Sequence, residues 1–177
     1  MNILFITNVP ARFPVLSGYV PLGIVYLSSV LKRAGHLVEV CTPRLTEARR
    51  TIKDFKPSIV AYSACTGGVS DYFTFNRKIK NEFDVFSVFG GPHPTYFPEM
   101  IEEEGVDAVC RGEGEAAMLE MADVLERGGD VTRLENWWVK KNKVIYKNDL
   151  RPLIQNLDTI PHPDRSLFFD NRLDKFT

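Results

Sequence analysis

The run DVFSVFGGPHPTYFPE, residues 84–99, carries an apolar stretch to Phe89, then Gly90 and Gly91, and then sets His93 between Pro92 and Pro94. A glycine pair lets a ligand reach backbone that side chains would otherwise shield, and the prolines fix the path of the turn. Three other segments share this character: SACTGG at 63–68, RGEGE at 111–115, and the longer TNVPARFPVLSGYVPLG at 7–23. Their chemistry is close backbone contact and hydrogen bonding, as in the wall of a cofactor site, and no catalytic residue is assigned. His93 can bond a cofactor amide or phosphate, or approach a metal as neutral imidazole; equally it can bond nearby backbone or cap the next helix. Cofactor contact is the expectation, without metal ligation. Glu113 and Glu115 stand where a helix should begin, so they can satisfy its free N–H groups, or instead accept from ligand amides or ribose hydroxyls. Cys65 is a metal ligand or, as lone buried-strand cysteines usually are, a small packed residue.

These loops need elements to hold them. Five short segments rich in β-branched and aromatic residues recur at 3–7, 37–41, 58–63, 85–90 and 107–112, most of them nearly continuous apolar runs, as strands covered on both faces must be. Between them, apolar residues recur at helical spacing: Ile24, Leu27, Leu31; Leu45, Ala48, Ile52; Tyr72, Phe75, Ile79; Phe97, Met100, Ile101; and Ala117, Met121, Val124. Pro21 suits a first helical turn, Ala34-Gly35-His36 ends the first helix, and Ser70-Asp71 is placed to cap the third. Alternating strands and helices imply an α/β, Rossmann-like or flavodoxin-like three-layer sandwich. Its five-stranded parallel sheet is expected in the order 2-1-3-4-5. In such a sheet ligands bind outside the carboxyl ends of the strands, where all four glycine-rich loops lie.

After residue 130 the pattern changes. ENWWVKKNKVIY reads as a small β-hairpin, expected beside the main sheet, in which adjacent Trp137 and Trp138 point to opposite faces. One of them should be core, and the other, if exposed, would fit a partner surface. From Leu150 the chain has three prolines and no clear period, so it reads as a connector. The expected organisation is a ligand-binding domain over 1–130, a hairpin extension over 131–149, and a linker over 150–177.

Charge excludes some partners. With 22 Lys and Arg against 23 Asp and Glu, the net charge of -1 offers no field for nucleic acid or an anionic membrane. The longest apolar stretch is too short to span a bilayer and no basic leader precedes ILFIT, so a cytoplasmic protein without membrane insertion is expected. Cys41, Cys65 and Cys110 form no close-spaced pair, which argues against a zinc knuckle or a disulfide framework. The first loop lacks GxGxxG, no GxxxxGK occurs, and strand three closes on Tyr62-Ser63 rather than aspartate. Nicotinamide binding, a P-loop and a phospho-receiver are thereby disfavoured, as is a stand-alone flavin or nucleotide-sugar module.

Four motifs in order, PLGIVYLSSVLKRAGHLVEV, GGPHPTYFPE, VDAVCRGEGE and LDTIPHPDRSLF, resemble the N-terminal cobalamin-binding domain of the cobalamin-dependent radical-SAM superfamily. That group includes enzymes similar to the anaerobic magnesium-protoporphyrin IX monomethyl ester oxidative cyclase. The likeness runs from about residue 2 to residue 168. It implies a module that holds cobalamin against a following radical-SAM domain, which would supply S-adenosylmethionine and a four-iron four-sulfur cluster. No CxxxCxxC occurs here, so this chain would not ligate that cluster, and a fragment or stand-alone module is expected. Cobalamin domains of the methionine-synthase type carry DxHxxG after strand one, a serine near strand three and a glycine pair after strand four. Ser63 and Gly90-Gly91 match the last two, whereas residues 8–18 contain no histidine, so cobalamin would bind without that ligand. The cofactor contacts implied are Val9, Pro10, Gly18, Tyr19 and Leu22 from the first loop and helix start, and Ser63, Cys65 and Thr66 after strand three. Gly90, Gly91, His93 and Pro94 after strand four and Gly112, Glu113 and Gly114 after strand five complete the set, with no metal ligand. The alternative is a cofactor-free structural or docking domain of the same fold. Tyr62, Phe89 or Tyr96 folding into the groove would mark that alternative.

Overall fold

The computed structural model describes residues 1–8 and 20–168. One sheet runs in the order β2-β1-β3-β4-β5-β6-β7. Strands β1 (Asn2–Ile6), β2 (Leu37–Cys41), β3 (Ile59–Ser63), β4 (Phe86–Gly90) and β5 (Ala108–Cys110) pair in parallel, while β6 (Trp137–Lys141) and β7 (Val144–Lys147) are antiparallel. The sheet therefore has seven strands where five were expected, because the hairpin continues the sheet instead of lying beside it. The reason is the exposed edge that β5 would otherwise present. Trp138 stands opposite Val109 and Trp137 opposite Cys110, so the hairpin both pairs this edge and extends the two apolar faces. Its two-residue turn, Asn142-Lys143, has φ of 52° and 64°, the conformation that matches strand twist.

Strand residues alternate between two cores. Ile3, Phe5, Ala61, Val88 and Cys110 face α1 (Leu22–Arg33) and α5 (Glu115–Glu126). Leu4, Ile6, Tyr62, Phe89 and Val109 face α2 (Leu45–Phe55) and α3 (Val69–Lys80). Helix α1 ends as expected at Ala34, with Gly35 at φ +93°. Helix α3 begins at Val69 behind Gly68 with no side-chain cap, so Ser70 and Asp71 lie inside its first turn rather than capping it.

The fourth crossover departs from the expected helix. It is α4 (Pro92–Tyr96) followed by a 3-10 turn, Pro98–Glu102. Pro98 has no N–H to continue the ladder and pushes Phe97 out of the helical region, to φ -130° and ψ 63°. Met100 and Ile101 are buried nonetheless.

Both tryptophans are buried, which corrects the expectation that one could face a partner. The Trp138 ring lies beneath Arg111 and Lys147, whose charged ends stand 5.3 and 4.3 Å from its centroid. The connector is also fastened to the domain. Asp164 accepts from Ser28 Oγ at 2.7 Å and Lys32 Nζ at 2.6 Å, its own N–H donates to Val25 O, and Phe168 is buried in the α1/α5 core. Burial pushes the Asp164 carboxyl up, but hydrogen bonds from Lys32, Ser166 and Ser28 outweigh it and hold the group below the usual carboxylate range.

Candidate functional site

A cavity of about 340 Å³ opens at the carboxyl ends of the strands, between the sheet and helices α1 and α5. Its floor is the row Phe5, Ala61 and Val88, in register on β1, β3 and β4 and one step inward from the strand ends. Ser63 and Gly90 form the next row outward, with Cys110 beside Gly90, and Gly112 lies beyond the end of β5 at the mouth. The hollow exists because small residues stand where larger ones would close the layer. Gly90 offers no side chain above the floor, Ala61 offers one methyl, and a Cβ built on Gly23 in α1 meets nothing within 4 Å. Met118 of α5 and Trp137 of β6 make the inner walls, and Leu153 of the connector reaches over one side. Trp137 is held by its indole N–H, which donates to Ala117 O at 3.0 Å.

The rim is rigid for identifiable reasons. Gly91 has φ +102° and ψ -168°, and a Cβ there would sit 3.0 Å from Ala64 O and 3.2 Å from Ala64 N. Only glycine fits. The next turn is bonded to the β3 loop: His93 N–H donates to Ala64 O at 3.0 Å, and His93 Nδ1 lies 3.1 Å from Thr66 Oγ1. The His93 ring stacks on Phe97, with centroids 5.2 Å apart. On the other side Asn136 ties three segments together. Its amide donates to Glu113 O, its side-chain oxygen accepts Arg151 N–H, and its backbone carbonyl accepts Arg111 N–H. The Glu113 carboxylate accepts Ile154 N–H at 2.7 Å, so it anchors the connector instead of capping α5, which Glu115 begins.

Of the residues expected from sequence, Ser63, Gly90, Gly91, Gly112, Glu113 and Gly114 line the cavity. Leu22, Cys65, Thr66, His93 and Pro94 do not; Leu22 and Cys65 are exposed, and Pro94 is the buried residue of α4. Val9, Pro10, Gly18 and Tyr19 lie outside the described residues. Tyr62, Phe89 and Tyr96 leave the cavity open: the Tyr62 hydroxyl donates to Asn76 Oδ1 on the opposite face, its ring stacks on Phe89 at 4.4 Å, and Tyr96 is 77% exposed. Sequence reasoning missed Gly23, Ala61, Met118, Trp137 and Leu153. The available signals were a glycine inside a helix start and an alanine among large strand residues.

Burial pushes the thiols of Cys41 and Cys110 up to about 12, with Glu47 and Glu39 adding to Cys41, while Cys65 is exposed. A disulfide reagent should therefore titrate one thiol quickly in the native protein and three after denaturation. A second fast thiol would mean that the burial of Cys41 or Cys110 does not hold in the native protein.

The B12 binding domain family model matches residues 14–122. The chain is similar to an uncharacterized methyltransferase of Pyrococcus horikoshii, 37% identical over 155 residues, which are 83% of this chain and 34% of that protein. It is also similar to the anaerobic magnesium-protoporphyrin IX monomethyl ester cyclase of Rubrivivax gelatinosus, 32% identical over 120 residues, 61% of this chain and 21% of that one. The fold matches the cobalamin-dependent S-adenosylmethionine radical enzyme OxsB, solved with aqua-cobalamin and S-adenosylmethionine bound, at a TM-score of 0.74 and 16% identity, covering 94% of this chain and 24% of that one. The chain thus spans about a third of the first relative and about a fifth of the second. No helix among the described residues is long and apolar enough to cross a membrane.

Proposed function

Because the chain belongs to the B12-binding domain family, we propose that it holds cobalamin, with the nucleotide tail in the cavity above Ala61 and Val88 and the corrin ring over the glycine-rich strand ends. The observation that carries this reading is the cavity itself, apolar in its depth and free of side chains at Gly90 and Gly23. The residues present fit the group. A flat aromatic base needs an apolar slot, and a corrin needs a rim low enough to approach, which Gly90, Gly91 and Gly112 supply. Ser63 stands at the mouth to meet the tail, and the Glu113 and Glu115 carboxylates accept from amide or hydroxyl groups there. No histidine lies in residues 8–18, so this loop would offer cobalt no imidazole. The open cavity favours cofactor binding over a cofactor-free docking role.

Bound cobalamin supplies methyl transfer or assists radical chemistry; this chain's residues bind it, orient it and exclude water from its tail. The matched residues make up only 34% and 21% of those two relatives. We therefore assign reaction, S-adenosylmethionine and a four-iron four-sulfur cluster to a radical-SAM domain outside residues 1–177, with 1–130 as the binding domain, 131–149 as its sheet extension and 150–177 as the link. Exposed Leu22 and Leu153 support a covered rim. Amide hydrogen exchange with and without hydroxocobalamin tests the placement. Protection should concentrate in 63–68, 90–93 and 112–115 and at the start of α1, and protection confined to other surfaces would overturn it.

A further inference from the structure

The depth of the cavity is more selective than cobalamin binding alone requires. We infer that it discriminates among corrinoids by the base that ends the nucleotide tail, accepting an apolar benzimidazole over a purine. This rests on the cobalamin reading and deepens it.

The argument is an inventory of hydrogen-bond partners. An adenine base brings an exocyclic amine and additional ring nitrogens, each needing a partner once buried, whereas a dimethylbenzimidazole presents methyl groups at the same edge. The inner walls offer almost nothing to pair with. Phe5, Ala61, Val88 and Met118 have no hydrogen-bonding side-chain groups beyond a thioether. Trp137 has already committed its indole N–H to Ala117 O. The backbone beneath the base belongs to the parallel ladder, in which Phe5 stands beside Ala61 and Ala61 beside Val88, so its N–H and C=O groups are committed between strands. The Cys110 thiol remains, a weak donor that stands beside Gly90 in the outer row rather than beneath the base. Competent polar groups, Ser63, Glu113 and Glu115, all sit at the mouth. There they meet the ribose and the corrin amides rather than the far edge of the base, and Glu113 is already engaged by Ile154 N–H. A purine would therefore be buried with its amine and at least one ring nitrogen unpaired. A site that leaves a ligand's polar groups unpaired rejects that ligand more sharply than one that merely loses apolar contact.

Three probes in one axial state separate the possibilities: aquacobalamin, the corresponding corrinoid with adenine as tail base, and a cobinamide lacking the base altogether. Quenching of intrinsic tryptophan fluorescence reads the binding, since Trp137 lines the slot. We expect cobalamin to bind at least about tenfold more tightly than the adenine form, equivalent to about 1.4 kcal/mol, with cobinamide no tighter than the adenine form. Met118→Gln, which brings an amide to the inner wall at nearly constant volume, should narrow the gap several-fold. Equal or tighter binding of the adenine form overturns the selectivity while leaving the cobalamin reading intact. Cobinamide binding as tightly as cobalamin overturns the seating of the tail in this cavity. Binding of none of the three overturns the underlying reading itself.

Discussion

Gly91→Ala is expected to destabilise the protein by about 3 kcal/mol, lowering Tm by roughly 6–12 °C, whereas Gly90→Ala next to it should change stability little. The two glycines look equivalent in the sequence but differ in the fold. At Gly91 the backbone occupies a region that is essentially glycine's own, with φ +102° and ψ -168°, and an added Cβ would press against Ala64 O at 3.0 Å. That oxygen is the acceptor for His93 N–H, so it cannot move without loosening the turn into α4. At Gly90 the added atom meets Cys110 Cβ at 3.8 Å, an ordinary contact. Its cost falls on the cavity, because the methyl rises beside the floor. Thermal denaturation of the two variants side by side checks the pair, and equal Tm values would show that the Gly91 conformation is not required.

The second large effect is on binding. Gly23→Leu should weaken cobalamin binding at least about 100-fold, roughly 2.7 kcal/mol, with Tm unchanged or raised. Glycine in a helix costs up to about 1 kcal/mol relative to alanine, so its presence in α1 favours the cavity rather than the helix. A leucine there projects from the exposed start of α1, at the edge of the cavity, into space where nothing lies within 4 Å of its Cβ. It removes the room for the tail without disturbing packing. Equilibrium titration of a variant with a native Tm reads the effect, and wild-type affinity in that variant would place the tail elsewhere.

The fold was legible where local pattern and global demand coincide. Strands β1 to β5 lie within about two residues of their apolar runs because each is covered on both faces and cannot hide its composition. The crossover after β4 was misread because Phe97, Met100 and Ile101 keep helical spacing while Pro98 forbids a continuous helix. Placing the hairpin at the sheet edge required knowing that β5 had a free side, which Trp137 and Trp138 do not reveal from their own positions. The rim of the site was legible through its glycines. Its depth was not, since Ala61 matters by what it leaves empty, Met118 by where α5 sets it, and Trp137 arrives from a strand more than twenty residues beyond β5. His93 drew attention by its setting between prolines, yet its ring is engaged by Thr66 and Phe97 beside the cavity, not within it.

The central claim is that this chain holds cobalamin at the strand ends, and it is tested most directly by incubating the purified protein with hydroxocobalamin and passing it through gel filtration. The account predicts cobalamin comigrating with the protein in near-equimolar amount, with a visible spectrum altered from that of the free cofactor and unchanged by His93→Ala. Protein eluting without cobalamin, under conditions where the fold is intact by circular dichroism, would contradict it.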